Sequence, residues 1–458
     1  MKIDIYHLYN YFEGVNFVRP VILDVLRLWS ERKGWQVRTK SAKENGVDLN
    51  TNAEVVAFSV YTVAAYSAYR LAEKLQAKGK IVILGGPHFR GLHYQEAMGK
   101  CEVVASSVCE EQWLSLLEDI EAGKVEPGNS ITKHIADTKN HFRYPDDLHK
   151  AFSSYSWYQI PAIPTTIGCP YDCEYCSALM AGTYLKRDPE VIYENMLHTK
   201  RKTLFIPDAS FGLHKKHLME VMEAIAPLKK HLAVQTSLAR VGDKELLKSM
   251  AQGGVKVIAI GIETLTQKLG KHGAVSTPEK VEELIRRCHD LGILVQGNFI
   301  FGLDCDGPEV FDNVYNFYLN TELDYVIADN LVPYPQTVLY NNLLKQGRII
   351  DQNWSHYDYR HVVFRPLNMS VEDFQNGLVS YHKRISTSKF FLKRLRQLYA
   401  RLGFGFETAG LASYGLSEHI NAKGKAKNFA RKLPPSAPPL YAVISSAEKR
   451  HIEGKNDV

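Results

Sequence analysis

The sequence predicts an α/β protein of two successive β/α units and a helical end, on three observations. Short β-rich runs alternate with amphipathic runs up to about residue 122, the rhythm lapses and restarts at residue 162, and beyond about residue 347 only helical patterns remain. A chain of 458 residues also exceeds one core, since roughly 100–200 residues make a domain. We therefore expect a doubly wound, Rossmann-like domain with its linker at 1–145, a partial (β/α)6 TIM-type barrel at 146–348, and a helical extension and tail at 349–458.

Lys2–Tyr9 reads as a strand and Val18–Lys33 as an amphipathic helix stopped by Gly34. Strands follow at Trp35–Lys40, Val55–Tyr61, Lys80–Gly85 and Glu102–Ser106, with helices at Ala64–Ala77 and Glu110–Ala122. Such alternation implies a parallel sheet, whose sites lie beyond the carboxyl ends of the strands. Those ends are Ser59–Thr62, Gly85–His88 and Ala105–Ser107. From Lys124 to Pro161 the chain collects Pro, Gly, Asp and His, as a linker does. Barrel strands are expected at Ala162–Thr166, Thr203–Ile206, Leu232–Thr236, Val257–Ile260, Val295–Phe301 and Asp324–Asn330. Six units fall short of the eight that close a full barrel. Pro434–Pro439 marks a loose tail.

Composition narrows the class. Hydrophobic residues make up 45% and charged residues 23%, ordinary for a globular protein. No apolar run approaches the roughly 20 residues that cross a bilayer, and Met1–Ile5 runs directly into a strand without signal-peptide character. A cytoplasmic place is expected. Seven cysteines, three of them within eight residues, point to metal in a reducing compartment and not to a disulfide framework. The net charge of +6 is uneven: Tyr381–Lys432 holds twelve Lys or Arg against two Glu. An electrostatic partner would meet that part of the chain.

The cysteines stand in Gly168-Cys169-Pro170-Tyr171-Asp172-Cys173-Glu174-Tyr175-Cys176, just after a strand. Thiolates are the usual ligands of iron–sulfur clusters, and spacings of four and three let one loop wrap three corners of a cubane. Zinc would ordinarily need a fourth Cys or His, and a redox Cys-x-x-Cys pair leaves Cys169 unexplained. The pattern C-x-x-x-C-x-aromatic-C after a first barrel strand resembles the radical S-adenosylmethionine (SAM) enzymes. That resemblance implies that Cys169, Cys173 and Cys176 hold three irons of a 4Fe–4S cluster while SAM chelates the fourth. It implies a 5′-deoxyadenosyl radical that abstracts hydrogen from an unactivated carbon, chemistry that only a cofactor supplies.

Further segments carry the resemblance. Tyr175 would flank the adenine. Phe205–Asp208 is similar to the family's second-strand segment, placing Asp208 near the SAM amino group. Ile260–Thr264 is similar to the fourth-strand segment, with Glu263 near the ribose or amino-acid portion. Gly297–Gly302 matches the fifth-strand glycine pattern through Gly297, and Pro333–Thr337 the segment after the sixth strand. Read alone, Gly261 and Gly302 are also tight packing points and Glu263 a helix-start residue.

Residues 54–123 resemble the cobalamin-binding domain that precedes the radical SAM core in one branch, the class B methyltransferase-like enzymes. Tyr61, Thr62, Gly85, Gly86, Pro87 and His88 are then the expected cofactor contacts. Glycine at 85 and 86 lets a backbone approach a flat macrocycle closely. The Asp-x-His-x-x-G signature is absent: His88-Phe89-Arg90-Gly91 echoes it with Gly86 where Asp belongs. Cobalamin would therefore sit without a protein histidine on cobalt. Ala105–Glu110 also replaces a loop that commonly reads Gly-Glu-x-Glu. A methylthiotransferase would need three N-terminal cysteines, and only Cys101 and Cys109 are present. Cys109, Cys288 and Cys305 read as packing or surface thiols.

Trp354, Tyr357, Asp358 and Val362–Asn368 resemble the helical extension of this branch, and Ser370 with Asp373 reads as a helix cap. Phe391, Leu395, Leu398 and Leu402 form an apolar stripe with Lys393, Arg394, Arg396 and Arg401 elsewhere around the helix. Such a helix either docks on the core or lies on an anionic membrane. The resemblance implies a cobalamin-dependent radical SAM methyltransferase acting on an unactivated carbon of a small molecule, lipid-like or a secondary metabolite. The alternatives are a non-methyl reaction on the same architecture (cyclisation or rearrangement) and a non-catalytic iron–sulfur or cobalamin sensor. An external flavodoxin- or ferredoxin-type electron donor is implied, and no nucleic-acid motif accompanies the charge.

Overall fold

The computed structural model describes residues 1–9, 18–128, 132–137, 141–156, 159–171, 173–177, 183–265, 277–335 and 337–402. The Pro434–Pro439 tail lies outside the described residues. The N-terminal unit runs β1 (Lys2–Leu8), α1 (Val21–Glu31), β2 (Gln36–Ala42), β3 (Val55–Val60), α2 (Ala65–Gln76), β4 (Ile81–Gly85), β5 (Val103–Ala105), α3 (Glu110–Glu121) and β6 (Lys133–Ile135). Its sheet is parallel in the order β2-β1-β3-β4-β5-β6, so the order in which strands are added reverses between β1 and β3. Strands buried on both faces read as continuous apolar runs. One face puts Ile3, Ile5, Ala57 and Ile83 against Trp29 of α1 and Trp113 of α3. The other puts Tyr6, Val56, Phe58 and Leu84 against Ala68, Leu71 and Leu75 of α2.

The second unit starts with β7 (Thr166–Cys169) and β8 (Thr183–Lys186), then α4 (Pro189–Leu197), β9 (Thr203–Ile206), α5 (Lys215–Ile225), β10 (His231–Ser237), α6 (Leu238–Gly242), α7 (Lys244–Gln252), β11 (Val255–Glu263), α8 (Pro278–Asp290), β12 (Leu294–Phe301), α9 (Val310–Asn320), β13 (Tyr325–Asn330) and α10 (Val338–Lys345). Strands β9 to β13 form a five-stranded parallel sheet. Helix starts follow ordinary capping chemistry: Asp188, Asp243 and Thr277 each accept a backbone N–H, and Pro189 and Pro278 occupy first-turn positions.

Two sequence expectations change here. The strand expected at Ala162–Thr166 is reduced to a single parallel bridge from Ala162 to Phe205. The chain then turns into an antiparallel hairpin, with β7 pairing β8 from Thr166↔Lys186 to Cys169↔Thr183. The expected linker at 124–161 contributes β6, which pairs with β5 and extends the first sheet. It is too short, and at Lys133-His134 too polar, for periodicity to mark it.

The two units are fastened by the turn Gly91–Ala97, which follows β4. His93 Nε2 donates to the carbonyl of Pro335 at 3.1 Å, and Trp354 Nε1 donates to Glu96 Oε2 at 2.9 Å. Burial alone would raise the Glu96 carboxyl, but the His88 and Trp354 bonds hold it below its usual range.

The extension forms α11 (Val371–Ile385), capped by Ser370, which accepts from the Asp373 N–H at 3.0 Å, and α12 (Ser388–Leu402). Leu398 packs with Val257, Leu294 and Tyr325 at the amino ends of the barrel strands. Arg394 turns inward with it, against the expectation that its charge faces away from the docked side. It donates to the carbonyls of Tyr318 and Thr321 and lies over the Tyr318 ring at 3.9 Å. A cation at the carboxyl end of α9 meets the orphan carbonyls and the negative end of the helix dipole. Among the described residues no helix is long and apolar enough to cross a membrane. We expect Arg394→Ala to cost about 2–3 kcal/mol in urea unfolding, because buried carbonyls lose their donor. Exposed Arg396→Ala should change stability by less than about 0.5 kcal/mol.

Candidate cofactor site

Gly168 turns the chain with φ +77°, and Cys169 closes β7 as Cys173 and Cys176 follow in the loop. Cys169 and Cys173 are half-buried and Cys176 is exposed. The Cys176 N–H donates to the Cys173 carbonyl at 3.0 Å, curling the loop back on itself. Burial pushes the Cys169 thiol up, and the charge of Cys176 adds to that. The loop is held from two sides. Leu339 N–H of α10 donates to the Glu174 carbonyl at 2.8 Å, and Arg90 Nη1 donates to the Ser177 carbonyl at 3.0 Å. Among the described residues no three His, Cys, Asp or Glu side chains already converge as a metal site. The donor chemistry fits an iron–sulfur cluster, since all three thiols belong to one loop whose two limbs are anchored separately.

Two of the expected SAM-side residues come together beside this loop. Burial raises the Tyr175 hydroxyl, and the charges of Glu263, Cys173 and Cys176 add to that. Glu263 ends β11 in the left-handed region at φ +65°, just past a register shift against β12. Its carboxyl is pushed up to about 7 by burial. A Cβ at Gly261 would stand 2.6 Å from Glu263 Oε1, so this glycine makes room for the carboxylate.

Asp208 and Gly297 stand otherwise. Asp208 is buried and accepts from the Thr165 N–H at 2.8 Å, the Thr166 hydroxyl at 2.8 Å, the Thr166 N–H and the Thr165 hydroxyl. It ties the end of β9 to the base of the cysteine hairpin. Gly297 lies mid-strand in β12, where a Cβ would come within 3.0 Å of Ile262 and Leu323.

A cavity of about 510 Å³ opens at the carboxyl ends of β1, β3, β4 and β5, the switch point where doubly wound sheets bind ligands. Tyr61, Gly85, Gly86 and Pro87 line it, whereas Thr62 and His88 are buried and absent from its wall. His88 Nε2 is engaged by Tyr69 Oη at 3.3 Å. Gly86 has a packing reason of its own: at φ +107°, a Cβ would sit 2.5 Å from the Val60 nitrogen. Ser106 and Ser107 line it as their strand-end position predicts, whereas His7, Arg19 and Arg90 were not expected in the wall. His7 sits edge-on to Tyr61 with ring centres 5.0 Å apart, and burial lowers its imidazole to about 4, so it is neutral. The barrel closes the far side with Ala162, Phe205 and Pro207. The volume falls within the roughly 300–1,000 Å³ of ordinary ligand sites. Apolar walls, a glycine-edged strand end and a few polar groups fit part of a large macrocyclic cofactor.

The partial barrel with its cysteine loop is a radical SAM domain, and a doubly wound domain precedes it. Residues 163–317 match the family model of the radical SAM superfamily, a domain that works with a 4Fe–4S cluster and SAM. The bacteriochlorophyllide d C-12(1)-methyltransferase of Chlorobaculum tepidum is 25% identical over 356 residues, covering 75% of this chain and 77% of that protein. The C-8(2)-methyltransferase of the same organism is 24% identical over 418 residues, covering 85% and 89%. The fold matches TsrM from Kitasatospora setae, a radical SAM methyltransferase solved with cobalamin and a 4Fe–4S cluster, with a TM-score of 0.58 at 15% identity over 75% of each chain.

Glu263 gives a pH test. Its folded-state value of about 7 lies above its ordinary 4.5, so the native state holds a proton that the unfolded chain releases. Stability from this group is present below about pH 4.5 and lost as pH rises through about 7. Relative to the ligand-free wild type, Glu263→Gln should gain up to about 3 kcal/mol between pH 4.5 and 7.5. Urea unfolding at the two pH values measures this, and parallel curves would contradict it.

Proposed function

We propose that this chain is a cobalamin-dependent radical SAM methyltransferase that methylates an unactivated carbon of a flat, largely apolar small molecule. The observation that carries the reading is the meeting of the two sites at Arg90, which lines the cavity and bonds to the cysteine loop. Cys169, Cys173 and Cys176 would hold three irons, with Tyr175 and Glu263 beside SAM and Tyr61, Gly85, Gly86 and Pro87 beside the corrin. When bound, these cofactors supply hydrogen abstraction from an unactivated C–H bond and delivery of a methyl group to the carbon left open.

The protein's own part is positional. The Asp208 tie and the Leu339 and Arg90 bonds fix the cysteine loop, which gives the reacting groups a constant separation. Neutral His7 and the apolar cavity walls exclude water. Glu263, poised near neutrality, gives or takes a proton at its carboxyl oxygens. Two tyrosines stand exposed where the sheet ends face one another: Tyr61 is 41% exposed and Tyr359 is 44% exposed. Tyr359 is held at φ +61° and meets the ring of Tyr334 edge-on at 6.0 Å. Exposed aromatic faces suit a flat conjugated substrate, and the two Chlorobaculum relatives are named for bacteriochlorophyllide d. An external flavodoxin- or ferredoxin-type protein would supply electrons.

The test is anaerobic turnover of reconstituted protein with cobalamin, a reductant, bacteriochlorophyllide d and methyl-labelled SAM. We expect S-adenosylhomocysteine and 5′-deoxyadenosine in equal amounts, and label in the product. Cys173→Ala should lose at least 100-fold in both. An unlabelled product formed at full rate would replace methyl transfer with another radical outcome.

A further inference from the structure

Arg90 is presented by a rigid turn. Gly86 is locked against Val60 at φ +107°, and His88 and Phe89 are both buried before the chain reaches Arg90. The next residues, Gly91–Ala97, dock on Pro335 and Trp354. The guanidinium therefore has little freedom to follow the loop it touches; the loop has to follow it. Its Nη1 bonds to the Ser177 carbonyl at 3.0 Å, one residue past the third cysteine. Burial disfavours its charge and lowers it from the usual guanidinium range, while Tyr61 and Cys176 nearby favour the charged form.

We infer that Arg90 is a positioning residue: from the N-terminal domain it pins the outgoing limb of the cysteine loop and sets a fixed positive charge beside Cys176, raising the reduction potential of the cluster. Reduction adds negative charge to a set of thiolates and sulfides, and a nearby cation in a low dielectric favours the reduced form. Hydrogen bonding, net charge and exposure are the levers that tune such clusters. Arg90 belongs to the wall of the N-terminal cavity as well, so one side chain bears on both sites. The inference rests on the reading that Cys169, Cys173 and Cys176 hold the cluster.

The experiment is an EPR-monitored redox titration of reconstituted wild type, Arg90→Gln and Arg90→Lys, with iron and sulfide counted in each. A wild type without four irons would mean that the cluster reading itself has failed. With the cluster present, Arg90→Gln should show at least a tenfold loss in the reduced-to-oxidised ratio at the wild-type midpoint, about 59 mV for one electron. Arg90→Lys, which keeps the charge, should recover that ratio to within threefold of wild type. An unshifted Arg90→Gln midpoint would overturn the inference. So would an Arg90→Lys midpoint as low as that of Arg90→Gln, because the effect would then be loosening and not charge. If Arg90→Gln assembles too little cluster to titrate, Arg90→Lys decides alone: within threefold supports the inference and a tenfold loss overturns it.

Discussion

A carboxylate taken out of water is unfavourable unless its oxygens are filled, and the whole arrangement leans on one that is. Asp208 is buried where β9 ends, and four donors of Thr165 and Thr166 converge on it. Burial pushes this carboxyl up while those four bonds pull it down. Losing one of them would leave a buried acceptor short, at a cost of about 1–3 kcal/mol or more for a charged group. The geometry is therefore held firmly. Thr165 and Thr166 immediately precede Ile167, Gly168 and Cys169, so the point where the cysteine loop leaves the protein is fixed by the strand that follows it in the barrel. Everything beyond that point inherits its place from this tie.

The second constraint acts from the other domain. Glycine at 86 permits the approach to Val60, that approach sets the turn, and the turn delivers both Arg90 and the Gly91–Ala97 contact with the barrel. The cavity at the switch point and the cysteine loop thus share a wall by construction. In the sequence the same glycine reads as room for a ligand, and the structure adds a reason in packing. The two readings are compatible, because a strand end stripped of side chains for packing is also one that a macrocycle can approach.

Legibility follows the physics of each element. The central strand β12 is apolar on both faces, so Val295–Phe301 stands out, and the short run Thr203–Ile206 also matches β9 closely. The edge strand β6 buries little and hides among polar residues. The hairpin of β7 and β8 was invisible because its register depends on a loop longer than any turn rule covers. Cys169, Cys173 and Cys176 were evident from spacing, and Tyr175 and Glu263 from their segments. His7 reaches the cavity only through topology, because β1 and β3 become neighbours in a sheet whose order local periodicity does not encode, and Arg19 and Arg90 reach it from the segments before α1 and after β4. Arg394 was misplaced for a related reason. Helical spacing counts it as a charge on the outer face, whereas the open carbonyls at the end of α9 make the inner face the better place for it.

Charge is a further constraint on the site. Three thiols, the Tyr175 hydroxyl and the Glu263 carboxyl crowd one half-buried region, and ionising all of them together would be costly at short range in a low dielectric. Two features lower that cost. Glu263 keeps its proton to about pH 7, which removes one negative charge while the chain is empty. Arg90 supplies a positive charge from outside the loop, held there by its bond to the Ser177 carbonyl although burial disfavours that charge. A cationic ligand arriving next to Glu263 would reverse the first of these, drawing the proton off and creating an ion pair where a neutral acid had been. The left-handed backbone at Glu263, worth roughly 1–3 kcal/mol of strain, is then the cost of aiming that carboxyl at the loop instead of into the next turn of chain.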